Sequence, residues 1–169
     1  MNAIKGHFNT NQYRPAIWSI LVGIVIGIAF YISSNWYQIM LIQGKSMEPS
    51  YHHMQMVLLD KHTKKYKVGD VVAFYCEGLD SVLVKRIVAG PMETVQITDM
   101  CLYVDDKVEM RYKDSLFEYA GILDKKVHLE SGQYIVIGDN INQSKDSRYN
   151  VVGVIDTKNI LGIVVNGSK

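Results

Sequence analysis

The chain has 169 residues and a formal net charge of +1. That length suits one domain, or one domain with a small inserted lobe, and the near-neutral charge excludes the strong electrostatic pull expected of a nucleic-acid binder. Two cysteines, Cys76 and Cys101, are too few for a disulfide scaffold, and neither they nor the five histidines show metal-ligand spacing, so no metal and no cofactor is expected.

In chain order, the first feature is the apolar run AIWSILVGIVIGIAFYI at 16–32, which carries no charge. At ~1.5 Å per residue, ~20 helical residues cross a ~30 Å hydrocarbon core, so a membrane anchor is expected over 16–35. Trp18 and Tyr31, then Trp36 and Tyr37, suit the interfaces. A cleavable signal peptide has a shorter apolar region and a small-x-small site, which YISSNWYQIM after Phe30 lacks. A buried soluble helix is the other alternative. Lys5 and Arg14 precede the run and no acidic residue appears before Glu48. The positive-inside rule therefore leaves residues 1–15 cytoplasmic and 36–169 outside the cell membrane, with lipid as a partner of the anchor.

Beyond Gln43 the periodicity is that of short, β-branched strands, expected at 56–60, 70–75, 81–89, 94–98, 101–105, 134–139 and 160–165. Turn signals separate them, among them Gly90-Pro91, Asp105-Asp106 and Ser131-Gly132. The fold class is thus mainly β: one transmembrane helix, then an antiparallel, partly barrel-like domain. Residues 92–133 are more polar and are expected to form a small inserted lobe. The two thiols are expected to be unlinked, with a single bridge the alternative.

Three islands carry chemistry. Gly44-Lys45-Ser46-Met47-Glu48-Pro49 sets a serine on tight backbone, although these are also ordinary turn residues. Lys85 sits in the apolar strand SVLVKRIVA. If its face is buried, loss of water disfavours the ammonium. At the ordinary pKa of ~10.4 only ~0.04% of a lysine is neutral at pH 7, whereas at ~8 about 10% is. Snorkelling to solvent is the competing reading, and the strand alone leaves both open. The third island runs from Gly138 to Arg148, a strand-end loop dense in short polar side chains. By itself it reads equally as an Asx/Ser-rich connection with a surface Asp146/Arg148 pair.

Together and in this order, an anchor, G-x-S-M-x-P, a K-R strand and GDN-x-x-x-S-x-DSR resemble the bacterial type I signal peptidases, in the compact Gram-positive form. The resemblance spans the whole architecture, with identity concentrated in the islands. It implies a membrane-bound serine endopeptidase that trims signal peptides from exported precursors through an acyl-enzyme. Ser46 is implied as nucleophile and Lys85 as general base. Ser144 is implied to hydrogen-bond the lysine amine, Asp146 and Arg148 to pair and hold the loop, Asp139 to brace the same turn, and Arg86 to support the strand. The Ser46 N–H is implied as oxyanion donor, and Gly44, Met47 and Val84 as substrate-side positions flanking an extended peptide.

The chain departs from the family pattern at Ile141, where Arg is usual, and at Gln143, where Asn is usual; Met92 and Glu93 also replace the usual Gly-Asp. Gly44 offers no hydroxyl where some relatives carry one. These changes spare Ser46 and Lys85 and bear on substrate range, so a dedicated role on surface or pilus precursors is one alternative. A non-catalytic assembly factor on the same fold is another. A self-cleaving Ser/Lys regulator is opposed by the anchor and by the lack of a DNA-binding segment.

Overall fold

The structure, a computed structural model, describes residues 14–165. Lys5 and most of the expected cytoplasmic segment lie outside the described residues. The chain divides into two compact units, one ending at Trp36 and one beginning at Tyr37.

The first unit contains α1 (Arg14–Trp36), 23 residues without an acidic side chain. At 1.5 Å per residue it is about 34 Å long, and it has the length and composition to cross a membrane. Three of its polar side chains turn back onto the helix: Ser19 Oγ donates to the Ala16 carbonyl at 2.9 Å, and Ser34 Oγ and Asn35 Nδ2 donate to that of Tyr31 at 2.9 and 2.8 Å.

The second unit is antiparallel throughout. Its strands are β1 (Tyr37–Leu41), β2 (Met56–Asp60), β3 (Val71–Cys76), β4 (Ser81–Ala89), β5 (Thr94–Thr98), β6 (Cys101–Val104), β7 (Lys107–Val108), β8 (Val127–His128), β9 (Gln133–Ile137), β10 (Ile155–Asp156) and β11 (Ile160–Val164). Seven form one sheet in the order β1-β2-β11-β3-β4-β9-β10, and four form a second, β7-β6-β5-β8. The second sheet is built from the polar stretch after Gly90. Its β6–β7 turn places Asp105 and Asp106 at φ +49° and +59°, the left-handed geometry of a two-residue hairpin.

The large sheet is buried on both faces, which is why its central strands read as nearly continuous apolar runs. Along β3, Val71 and Ala73 pack with Ile42, Met47, Val57 and Leu59. Val72, Phe74 and Cys76 face the other way, onto Ile87, Val136 and Ile160. A third cluster joins Ile135 and Ile137 of β9 to Val95, Ile97 and Leu102 of the small sheet. Cys76 is buried, Cys101 is partly exposed, and the two are not bridged.

The expected strands shift by a residue or two. β9 stops at Ile137 because Asp139 leaves the sheet for a guanidinium partner. β1 falls where the sequence reading ran on from the anchor, and β7, β8 and β10 are two-residue strands, too short for periodicity to register.

Candidate active site

Two segments 39 positions apart in sequence meet at the open edge of the large sheet. Strand β4 pairs with β3 along its length, with Lys85 opposite Val72. On its other side it pairs with β9 only from Arg86 onward. Its first half therefore leaves one edge unpaired. Facing it is the segment after β1, which ends in the turn carrying Ser46. Met47, 1% exposed, anchors that turn in the core, and Tyr51 N–H donates to the Met47 carbonyl at 2.9 Å.

Lys85 Nζ lies 2.7 Å from Ser46 Oγ and donates to the Val84 carbonyl at 3.0 Å. Lys85 is 4% exposed. Burial lowers its pKa to about 8, against the opposing pull of the Asp146 and Asp139 carboxylates. Burial wins because each carboxylate is already held by a guanidinium. The Ser46 N–H donates to no group among the described residues, while the Ser46 carbonyl accepts from Asn140 N–H at 3.0 Å.

The loop after β9 supplies the support. Asp146, fully buried, accepts from Arg148 Nε at 2.8 Å, from its terminal nitrogen at 3.0 Å and from Gly138 N–H at 3.1 Å. Arg148 also donates to the carbonyls of Ile141 at 2.7 Å and Ser144 at 3.2 Å, and lies 5.5 Å from the Phe117 ring centroid. The Asp146/Arg148 pair is thus a buried clamp and not the surface pair that the loop composition equally allowed.

A second clamp was not foreseen. Arg86 donates to Asp139 at 2.7 Å through Nε and at 2.5 Å through a terminal nitrogen, and to the Gly69 carbonyl at 2.8 Å. Asp139 therefore ties its loop to β4 beside Lys85, where the sequence reading had it brace its own turn. The Asp139 carboxylate outweighs the desolvation of Arg86 and raises its pKa. This explains how both faces of β4 are buried around adjacent basic residues: Lys85 is desolvated, and Arg86 is neutralised in place.

One expectation is corrected. Ser144 does not hydrogen-bond the lysine amine. Its Oγ is buried without a partner among the described residues, turned onto Gly138. A Cβ added at Gly138 would stand 2.2 Å from that Oγ and 2.5 Å from the Ser46 carbonyl oxygen. The loop and the serine turn can approach this closely only across a glycine. Gly138 and Asn140 are contacts that sequence reasoning missed. Their signal was the placement of a Gly-Asp-Asn run directly at a strand end.

Gly44 adopts φ +86° and is exposed. A cleft of about 530 Å³ runs between residues 40–47 and 81–85, with Gly44, Met47 and Val84 in its wall and Gln143 and Lys145 on its rim. Among the described residues there is no cluster of His, Cys, Asp and Glu able to hold a metal. The arrangement places a hydroxyl against an amine of lowered pKa, beside a free N–H, in an open groove. That can activate an oxygen nucleophile.

Comparison with known proteins covers most of the chain. Residues 16–166 match the family described as signal peptidase, peptidase S26. Signal peptidase I U of Bacillus subtilis is 32% identical over 166 residues, covering 90% of this chain and 88% of that protein. Signal peptidase I of Bacillus licheniformis is 30% identical over 156 residues, covering 86% and 83%. A crystal structure of a signal peptidase I from Enterococcus faecalis is similar at 24% identity and a TM-score of 0.48, covering 60% of this chain and 97% of that one.

Proposed function

The chain belongs to the signal peptidase family, peptidase S26, and is a serine endopeptidase; from that premise we propose that it cleaves signal peptides from exported precursors with Ser46 as nucleophile and Lys85 as general base. The observation that carries the residue assignment is the 2.7 Å approach of Lys85 Nζ to Ser46 Oγ, with the amine removed from solvent.

In this reading the precursor lies extended in the cleft, its backbone pairing with the free edges of residues 40–43 and 81–84. Neutral Lys85 takes the Ser46 proton as Oγ attacks the scissile carbonyl carbon. The oxyanion that forms accepts from the Ser46 N–H, which no other group claims. The C–N bond then breaks, Lys85 returns the proton to the leaving amine, and the signal peptide stays esterified to Ser46. Lys85 next deprotonates water, which attacks the ester carbonyl; the C–Oγ bond breaks and Lys85 returns that proton to Ser46 Oγ. A lysine can shuttle this proton only if its pKa lies near the working pH, and a value of about 8 supports that role. Asp146/Arg148 and Arg86/Asp139 hold the lysine strand and the loop behind the serine turn. The helix α1 anchors the enzyme in the cell membrane, with the N-terminus cytoplasmic and the catalytic unit outside.

The test is incubation of the purified chain and its Ser46→Ala and Lys85→Ala variants with a panel of exported precursors, reading the product N-termini. The wild type is expected to release mature proteins and both variants to release none while keeping their β-sheet signal. Cleavage by either variant at the wild-type rate would overturn the dyad.

A further inference from the structure

We propose that His53 is a positioning residue for the reaction, holding the nucleophile turn in register through the backbone of Gly44. The proposal rests on the assignment of Ser46 as nucleophile.

The segment leading to Ser46 is fastened along one edge only. Ile42 N–H donates to the Gln55 carbonyl at 2.9 Å, and Met54 N–H donates to the Ile42 carbonyl at 2.8 Å. In extended chain the backbone groups of alternate residues point the same way, so those of residues 42 and 44 face this fastened edge and those of Gln43 face the cleft. The chain cannot supply a third rung from backbone, because it turns away at Met54, which sits at φ +64°. The rung is made by a side chain instead: Gly44 N–H donates to His53 Nδ1 at 3.0 Å.

This bond falls two residues before the nucleophile. Gly44 is in the left-handed region. It is the hinge at which extended chain becomes the serine turn. Gly44 has no side chain to pack, and its surroundings are open. The far side of the turn is held by buried Met47 and by the Asn140 bond to the Ser46 carbonyl, and on the β1 side, at Gly44, the restraint is the His53 ring. Because an N–H can only donate, His53 Nδ1 must carry its lone pair, which selects the neutral tautomer protonated on Nε2. The bond also keeps the Gly44 N–H turned away from the cleft, leaving Gln43 as the residue whose backbone meets substrate.

The ring is exposed, so losing it opens no cavity; what changes is the precision with which Oγ is presented to Nζ. Misplacement of reacting groups by an ångström can lower a rate about a hundredfold. A partial loosening is expected to lower kcat about tenfold and leave KM within about twofold. An asparagine places an acceptor oxygen near the position of Nδ1, whereas alanine places none.

The experiment compares the full-length chain with its His53→Ala, His53→Asn and Ser46→Ala variants in detergent, on the precursor that the wild type cleaves fastest. kcat, KM and thermal midpoint are recorded for each. The expected result is a kcat about tenfold lower for His53→Ala and recovery to within about threefold for His53→Asn, with midpoints within about 2 °C of wild type. Wild-type kcat for His53→Ala, or equal loss in the alanine and asparagine variants, would overturn the role of His53. Activity in Ser46→Ala would instead overturn the nucleophile assignment on which it rests.

Discussion

Replacing Lys85 with methionine is expected to abolish cleavage and, at neutral pH, to stabilise the fold. Lys85 is 4% exposed and its pKa in the folded protein is about 8. An unfolded chain returns it to its ordinary value near 10.4. The folded state therefore disfavours the ammonium by about 3 kcal/mol, at 1.36 kcal/mol per pH unit. The sign follows from proton counting. Between pH 8 and about 10.4 the unfolded chain holds more protons than the folded one, so stability rises with pH across that window. Below pH 8 both states are protonated and the full penalty applies. Methionine has a similar length and carries no charge to desolvate, so it escapes the penalty, less about 1 kcal/mol for each of the lost bonds to the Val84 carbonyl and Ser46 Oγ. The net gain of about 1 kcal/mol corresponds to a midpoint rise of about 2–4 °C for a chain of this size. Thermal unfolding of wild type and Lys85→Met followed by circular dichroism in detergent between pH 6 and 10 measures it. The gap should be widest at pH 6–7 and narrow steadily above pH 8. Parallel curves, or a less stable methionine variant at pH 7, would refute the desolvated-amine account.

Other outcomes follow from the same geometry. The pH–rate profile should rise through about pH 8 and then level off, since in the proposed mechanism only the neutral amine accepts the serine proton; a limb near 10.4 would contradict a lowered lysine pKa. Gly138→Ala should reduce kcat at least tenfold and lower stability by about 1–3 kcal/mol, because its Cβ meets the Ser46 carbonyl at 2.5 Å; wild-type kcat and midpoint together would show that the turn yields freely. Asp146→Ala should lower stability by about 3–5 kcal/mol by leaving the buried Arg148 guanidinium unpaired, and an unchanged denaturation midpoint would remove the clamp.

Much of this was legible from residue order alone. The apolar run, the alternating β segments and the Asp105-Asp106 turn are local signals, since each depends on side chains within about ten positions. The Ser46, Lys85 and Asp146 islands stood out because their composition fits poorly with their neighbours: a lysine amid valines, and a polar run at a strand end. Strand β1 was hidden because Tyr37–Leu41 continues the uncharged character of the helix before it. The pairing of Arg86 with Asp139 was hidden for a different reason. The two are 53 positions apart, and no local pattern ties a basic residue in a strand to one acid among several.

The corrected role of Ser144 shows the same limit. Motif order places a hydroxyl in the lysine's neighbourhood, but which way the hydroxyl turns depends on the gap left by Gly138. Sequence by itself determined the chemical inventory, which comprises a hydroxyl, an amine, two carboxylates, two guanidiniums and an apolar helix. Only the tertiary structure decided that the amine is dry, that each carboxylate is already neutralised by an arginine, and that the hydroxyl lies within 2.7 Å of the amine. Desolvation and distance are properties of the packed chain. They arise where β4 lacks a neighbour along half its length and the serine turn closes over the gap.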